Sequence, residues 1–149
     1  MDTQHFTLHQ VTGGVWEAEG DFSKASIGNA AIVDAGGGKT IVIDTFMTQV
    51  AAAELRQAAE ALTGNSVFLA VNSHWHSDHV SGNQVFDDVP IVSTRQTRDE
   101  IAKTAPADAA AWEPEIDAAI TRLEAAVADG DSAAPGSLTV QRQFKAHVS

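Results

Sequence analysis

An unbroken apolar run, Val67-Phe68-Leu69-Ala70-Val71, opens directly into Asn72-Ser73-His74-Trp75-His76-Ser77-Asp78-His79, and no other feature constrains the chain as tightly. Five consecutive apolar residues between polar flanks predict a strand buried on both faces, and such strands belong to parallel pairs joined by a helical crossover. The crossover is legible upstream. Thr40-Ile41-Val42-Ile43-Asp44 is a β-branched strand, Thr48 is suited to cap a helix, and Leu55, Ala58, Ala59 and Leu62 share one face of that helix before Gly64 closes it.

Around this β-α-β unit the pattern is mixed. Phe6 and Leu8 alternate with polar residues, Val15-Trp16-Glu17-Ala18 follows a Gly13-Gly14 turn, and Ala30-Ala31-Ile32-Val33 leads through Gly36-Gly37-Gly38 into the Thr40 strand, which predicts an antiparallel meander. Downstream, a short helix over Val80 to Phe86 and a strand at Pro90 to Ser93 precede helical pieces from Thr94 to Lys103 and from Pro114 to Asp129. Asp131-Ser132-Ala133-Ala134-Pro135-Gly136-Ser137 reads as a linker, with at most a short strand at Leu138-Thr139-Val140 beyond it. The expectation is an α+β domain over residues 1–130, a mixed sheet with helices on one face, and a flexible tail over 131–149.

The loop after Val71 carries the chemistry, because open α/β sheets hold ligands at the carboxyl ends of their strands. Residues two apart in an extended loop point the same way, so His74 and His76 can face one cation. Asp78 and His79, turning into the next helix, can face a second. The chain has no Cys, so His and carboxylates are the strong metal ligands available. Two neighbouring divalent ions sharing a hydroxide would make a nucleophile near neutral pH.

The His-x-His-x-Asp-His spacing resembles the signature of the metallo-β-lactamase superfamily. The Asn29–Val33 strand, the Gly turn, Thr40–Thr45, the Ala-rich helix and Gly82-Asn83 after the motif resemble that family in order from near Val15 to about Ser93. The resemblance implies a four-layer αββα sandwich of two similar halves, of which this chain is long enough for little more than the N-terminal one. It implies that His74 and His76 bind zinc at a first site and Asp78 and His79 at a second. It makes Asp44 a carboxylate behind the ligands and gives Asp78 the catalytic role of orienting the attacking water. The family's remaining ligands, a third His, a bridging Asp and a final His, lack clear counterparts. His147 is the one downstream candidate for an additional ligand, and no Gly or Asp follows it in the family manner.

The implied function is a zinc-dependent hydrolase, its metal-bound hydroxide attacking an amide, ester, thioester or phosphoester of a small-molecule substrate. One or two zinc ions are expected, with iron or manganese as alternative occupants. The alternative is a non-catalytic half-domain that binds metal or a partner chain. A half sandwich leaves one sheet face to be covered, and a homodimer would cover it. Nine Lys and Arg against twenty Asp and Glu give a net charge of -11, which disfavours nucleic acid and anionic membrane surfaces as partners. With no basic N-terminal region leading a long apolar core, a cytoplasmic location is expected. Gly38-Lys39-Thr40 mimics the end of a phosphate-binding loop, but it leads into a strand where that motif needs a helix.

Overall fold

A computed structural model describes residues 1–148, and within them all side chains except those of 105–110, 147 and 148. The chain divides into two compact units, residues 1–101 and 102–149. In the first, six strands form one mixed sheet in sequence order: β1 (Phe6–Thr12), β2 (Val15–Gly20), β3 (Asn29–Asp34), β4 (Thr40–Ile43), β5 (Val67–Val71) and β6 (Ile91–Val92).

Strands β1 to β4 are an antiparallel meander, as the turn residues predict, with Trp16 opposite Ile32 and Ile32 opposite Val42. Helix α1 (Gln49–Thr63) crosses over to place β5 parallel to β4, with Ile43 beside Val71. Its ends follow the sequence rules. Thr48 accepts the Ala51 N–H at the N-terminus, and Gly64 at φ 69 turns the chain out at the other end. Leu55, Ala58 and Ala59 of α1 are buried against Phe6, Ala18, Ile32, Val42 and Ala70 of the sheet. Phe6 and Phe46 stack with ring centroids 5.3 Å apart, closing the core where the chain leaves β4. On the opposite sheet face the registers align Val33 with Ile41 and Leu69, and Ala31 with Ile43 and Val71.

The expected helix at Val80–Phe86 is a short α-helix, α2 (Ser77–Val80), followed by a 3-10 stretch, Ser81–Phe86. The expected helices at 94–103 and 114–129 are one element, α3 (Arg95–Ala128). The second unit contains the rest of α3 and α4 (Ala134–Val148). The Leu138-Thr139-Val140 segment, read as strand, lies inside α4. Three β-favouring residues cannot form a strand without a partner, whereas a helix satisfies its own backbone. Arg142 donates to Glu124 at 2.9 Å and Lys145 pairs with Asp117 within this unit. Among the described residues, no helix is long and apolar enough to cross a membrane.

The N-terminus is held to α1 by one carboxylate. Glu54 accepts from the Gln4 N–H at 2.6 Å, the His5 N–H at 2.9 Å and the His5 ring at 2.8 Å. Partial burial pushes the Glu54 carboxyl up, but the hydrogen bonds from Gln4 and His5 outweigh this and hold it below its ordinary value of 4.5. A depressed carboxylate stabilises the fold above its unfolded pKa, and this is lost as pH falls through the folded value. Protection of β1 amides from hydrogen exchange should therefore drop as the pH falls below about 4.5, and Glu54→Gln should flatten that drop.

Candidate metal centre

Parallel pairing of β4 and β5 brings their carboxyl ends to the same edge, so Asp44, which follows β4, meets the loop that follows β5. Asp44 N donates to Val71 O at 2.8 Å and Asn72 N to Val92 O at 2.9 Å, extending both ladders by one residue. Beyond them the backbone leaves the sheet. Asp44 and Phe46 adopt left-handed conformations, φ 60 and 61, outside glycine's usual preserve. The turn so formed points the Asp44 carboxylate back over the edge.

That carboxylate is buried, 5% exposed, and accepts from three donors. Oδ1 takes the Ser73 N–H at 2.8 Å, while Oδ2 takes the Ser73 hydroxyl at 2.6 Å and His79 Nδ1 at 2.9 Å. A carboxylate only accepts, so His79 carries its proton on Nδ1 and Ser73 spends its one hydroxyl proton on Asp44. Ser73 Oγ also lies 3.0 Å from His74 Nδ1, and with its proton spent it can only accept there. His74 is thereby fixed with a proton on Nδ1 and a bare lone pair on Nε2. One buried carboxylate sets the tautomer of one ring directly and of another through Ser73.

Of the predicted residues, Asp44, His74 and His79 come together as one group. The His74 ring lies 4.6 Å from His76 and 4.2 Å from His79, centroid to centroid, and ligand atoms of Asp44, His74 and His79 lie within 4.8 Å of one another. His79 Nε2 stands 3.1 Å from Asp78 Oδ2. With Nδ1 already protonated, a neutral His79 presents Nε2 as an acceptor facing an acceptor, so a positive centre belongs between them, a second ring proton or a cation. Two ligands of a tetrahedral zinc, at bond lengths of about 2.0–2.1 Å, lie about 3.3–3.4 Å apart, close to the observed separation. The residues present therefore fit a divalent metal ion. His76 is exposed beside Trp75, ring centroids 4.6 Å apart. The His147 side chain lies outside the described residues.

Several residues of the site have roles that the sequence does not display. Ser73 lies within the motif segment, where nothing marks its hydroxyl as a partner of Asp44. Thr45, Asn72 and Asn83 hold the loop through hydrogen bonds described below. Gly28, at φ 83, is the least legible: a Cβ there would lie 2.4 Å from Asp78 O and 3.2 Å from Asp78 Oδ2. Its signal is the positive φ, which one sequence does not display. Asp88, close to the loop in sequence, is taken up by a bidentate pair with Arg56 at 2.6 and 2.7 Å, which holds its carboxyl below the ordinary value.

A parallel strand pair that delivers a His/Asp cluster, backed by a buried carboxylate, to one sheet edge defines an α+β domain with a candidate metal centre. The model of the metallo-beta-lactamase superfamily matches residues 24–137, and the chain belongs to that superfamily. Among solved structures it is similar to a metallo-beta-lactamase from Hirschia baltica, at 18% identity and TM-score 0.60 over 68% of this chain and 48% of that one. It is also similar to the metallo-beta-lactamase FIM-1 from Pseudomonas aeruginosa in its mono-zinc form, at 17% identity and TM-score 0.59 over 68% and 47%. The enzyme from Erythrobacter litoralis gives 17% identity and TM-score 0.61 over 70% and 48%. The chain thus spans about half the length of the solved structures it matches. Comparison with curated proteins returns no match.

Gly28→Ala should force Asp78 away from His79, since the obstacle is backbone and the left-handed φ adds strain. Denaturant unfolding should show a loss of at least about 1 kcal/mol. Stability equal to the parent's would mean that the loop before β3 does not buttress Asp78.

Proposed function

We propose that this chain is the metal-binding half of a metal-dependent hydrolase, acting on an amide, ester, thioester or phosphoester. The single observation that carries the reading is the His79 ring held between two carboxylates, Asp44 at Nδ1 and Asp78 at Nε2. A ligating imidazole typically donates its other N–H to a carboxylate, which fixes the ring and raises its basicity.

In this reading His74 and His76 serve one ion, and Asp78 and His79 serve a second or share the first. Zinc suits the His and carboxylate set, and FIM-1 is described in a mono-zinc form, while iron or manganese would also accept these ligands. A divalent ion held by these residues would supply Lewis acidity and lower the pKa of a bound water. The chain's own residues do the rest. Asp44 orients His79 directly and His74 through Ser73, and the Asp78 carboxylate accepts a hydrogen bond from the attacking water and so aims it. Trp75, half-buried beside His76, offers an apolar wall to a substrate. Four ligands over two ions give each about two, fewer than the three that a catalytic zinc keeps, so further ligands must come from outside residues 44–79.

The test is native mass spectrometry of the zinc-loaded protein with a hydrolysis screen over lactam, lactone, thioester and phosphoester substrates. Uptake of one or two zinc ions per chain is expected, with turnover where the remaining ligands are supplied. A zinc-loaded dimer would identify a second copy as their source. His74→Ala combined with His76→Ala should remove at least one ion and abolish turnover. Hydrolysis untouched by the double substitution would overturn the reading, and zinc uptake without turnover on any substrate would favour a binding half-domain.

A further inference from the structure

The loop that carries His74, His76, Asp78 and His79 starts at Asn72, the residue after β5, and runs on to Asn83 in the 3-10 stretch. Its two ends are joined by their side chains. Asn72 Nδ2 donates to Asn83 Oδ1 at 3.0 Å, and Asn83 Nδ2 donates to Asn72 Oδ1 at 2.9 Å. An amide is the side-chain group that both donates and accepts toward a copy of itself, so the pair closes a two-bond ring that a carboxylate or an alkyl group at either position would open. Asn72 is 3% exposed, where an unmade hydrogen bond is costly.

The pair is also tied to the turn after β4. Thr45 Oγ1 donates to Asn83 Oδ1 at 3.0 Å, and Thr45 N donates to the carbonyl of His79 at 2.9 Å. Asn72 Nδ2 approaches the same carbonyl at 3.4 Å. The backbone at Gly82 is pressed so close that a Cβ would fall 2.0 Å from Thr45 O. Asp44 therefore fixes the rings of the loop, whereas Thr45, Asn72 and Asn83 fix its backbone.

We propose that the reciprocal Asn72–Asn83 amide pair, pinned by Thr45, is a clasp that closes the 72–83 loop and sets the spacing of the four ligands. Asn83 is a positioning residue: it touches no ligand atom and acts through the loop ends. The clasp is built from protein groups alone, and its consequence for metal affinity rests on the metal-centre reading above.

Two readouts on the full chain separate these. In metal-free protein, Asn83→Ala should speed amide hydrogen exchange across residues 73–82 by about tenfold, as expected for loss of a net hydrogen bond or two, and leave β1 to β3 unchanged. On titration with Co(II), the same variant should bind about 10–100-fold more weakly, the range for losing an outer partner of a metal site, with a changed d–d absorption band. Asn83→Asp, which still accepts from Asn72 and Thr45, should recover part of both effects. Asn65→Ala, which removes a 2.8 Å side-chain hydrogen bond to Thr63 O in a distant turn, should move neither. Should Asn83→Ala fail to fold, Thr45→Val removes the pinning hydroxyl at constant volume and should shift both readouts in the same direction by a smaller factor. Parent-like exchange over 73–82 in Asn83→Ala, or in Thr45→Val where that is the variant measured, overturns the clasp. A parent that takes up no Co(II) overturns the metal-centre reading, and the exchange result still decides the clasp.

Discussion

Everything at the candidate site depends on one buried carboxylate. Asp44 accepts three hydrogen bonds in a place water scarcely reaches, and removing any one of its donors would leave a charge underpaired at that place. The arrangement is therefore all or none: Ser73 and the His79 ring take the positions the carboxylate demands. Because an acceptor on one side of an imidazole decides what the other side can do, the same group leaves Nε2 as the free nitrogen of His74 and turns that of His79 toward Asp78. That is chemistry settled by proton bookkeeping at a residue which need never touch a substrate.

Holding Asp44 there has a structural cost, and the fold meets it close by. A non-glycine residue at φ 60 is strained, and Phe46 two residues on is strained in the same way. Such conformations persist when their surroundings over-determine them. Here Phe46 is locked by its stack on Phe6, Thr45 by its bonds to His79 and Asn83, and Asp44 by the extension of the ladder to Val71. The buried face of α1 completes the support, since Ala52 lies close enough to Gly82 that no larger residue than glycine fits between helix and loop. Hydrophobic packing thus stiffens the turn, and the stiff turn presents the polar groups.

What was legible in the sequence follows from range. The β-α-β unit, the Thr48 and Gly64 caps and the carboxyl-end placement of His74 to His79 rest on local periodicity and on short-range turn chemistry, which a single sequence displays. Pairing across long separations is not displayed. Ser73 meets Asp44 across 29 residues and Thr45 meets Asn83 across 38, and nothing in either neighbourhood marks them as partners. Gly28 belongs to the same class, its role set by Asp78 fifty positions away. The continuity of α3 and the helical state of residues 138–140 were hidden for a different reason. Pro114 and the polar residues around it break the apolar periodicity that signals a helix, yet α3 runs through, and Leu138-Thr139-Val140 favours strand by side-chain type while its backbone is helical in α4.

The length of the chain and the geometry of the loop bear on each other. A ligand set confined to one loop and one strand end approaches an ion from one side, and a tetrahedral ion needs ligands on more than one. Parallel strands ending at a common edge can supply only that near side, because their carboxyl ends all face the same way. The chain covers about half of the solved structures it resembles, and half a coordination sphere is what one such edge can offer. The rigidity around Asp44 bears on how that edge meets a ligand. Side chains that are already fixed in tautomer and spacing lose little further freedom when a ligand binds, so much of the entropic cost of ordering this edge is met as the chain folds.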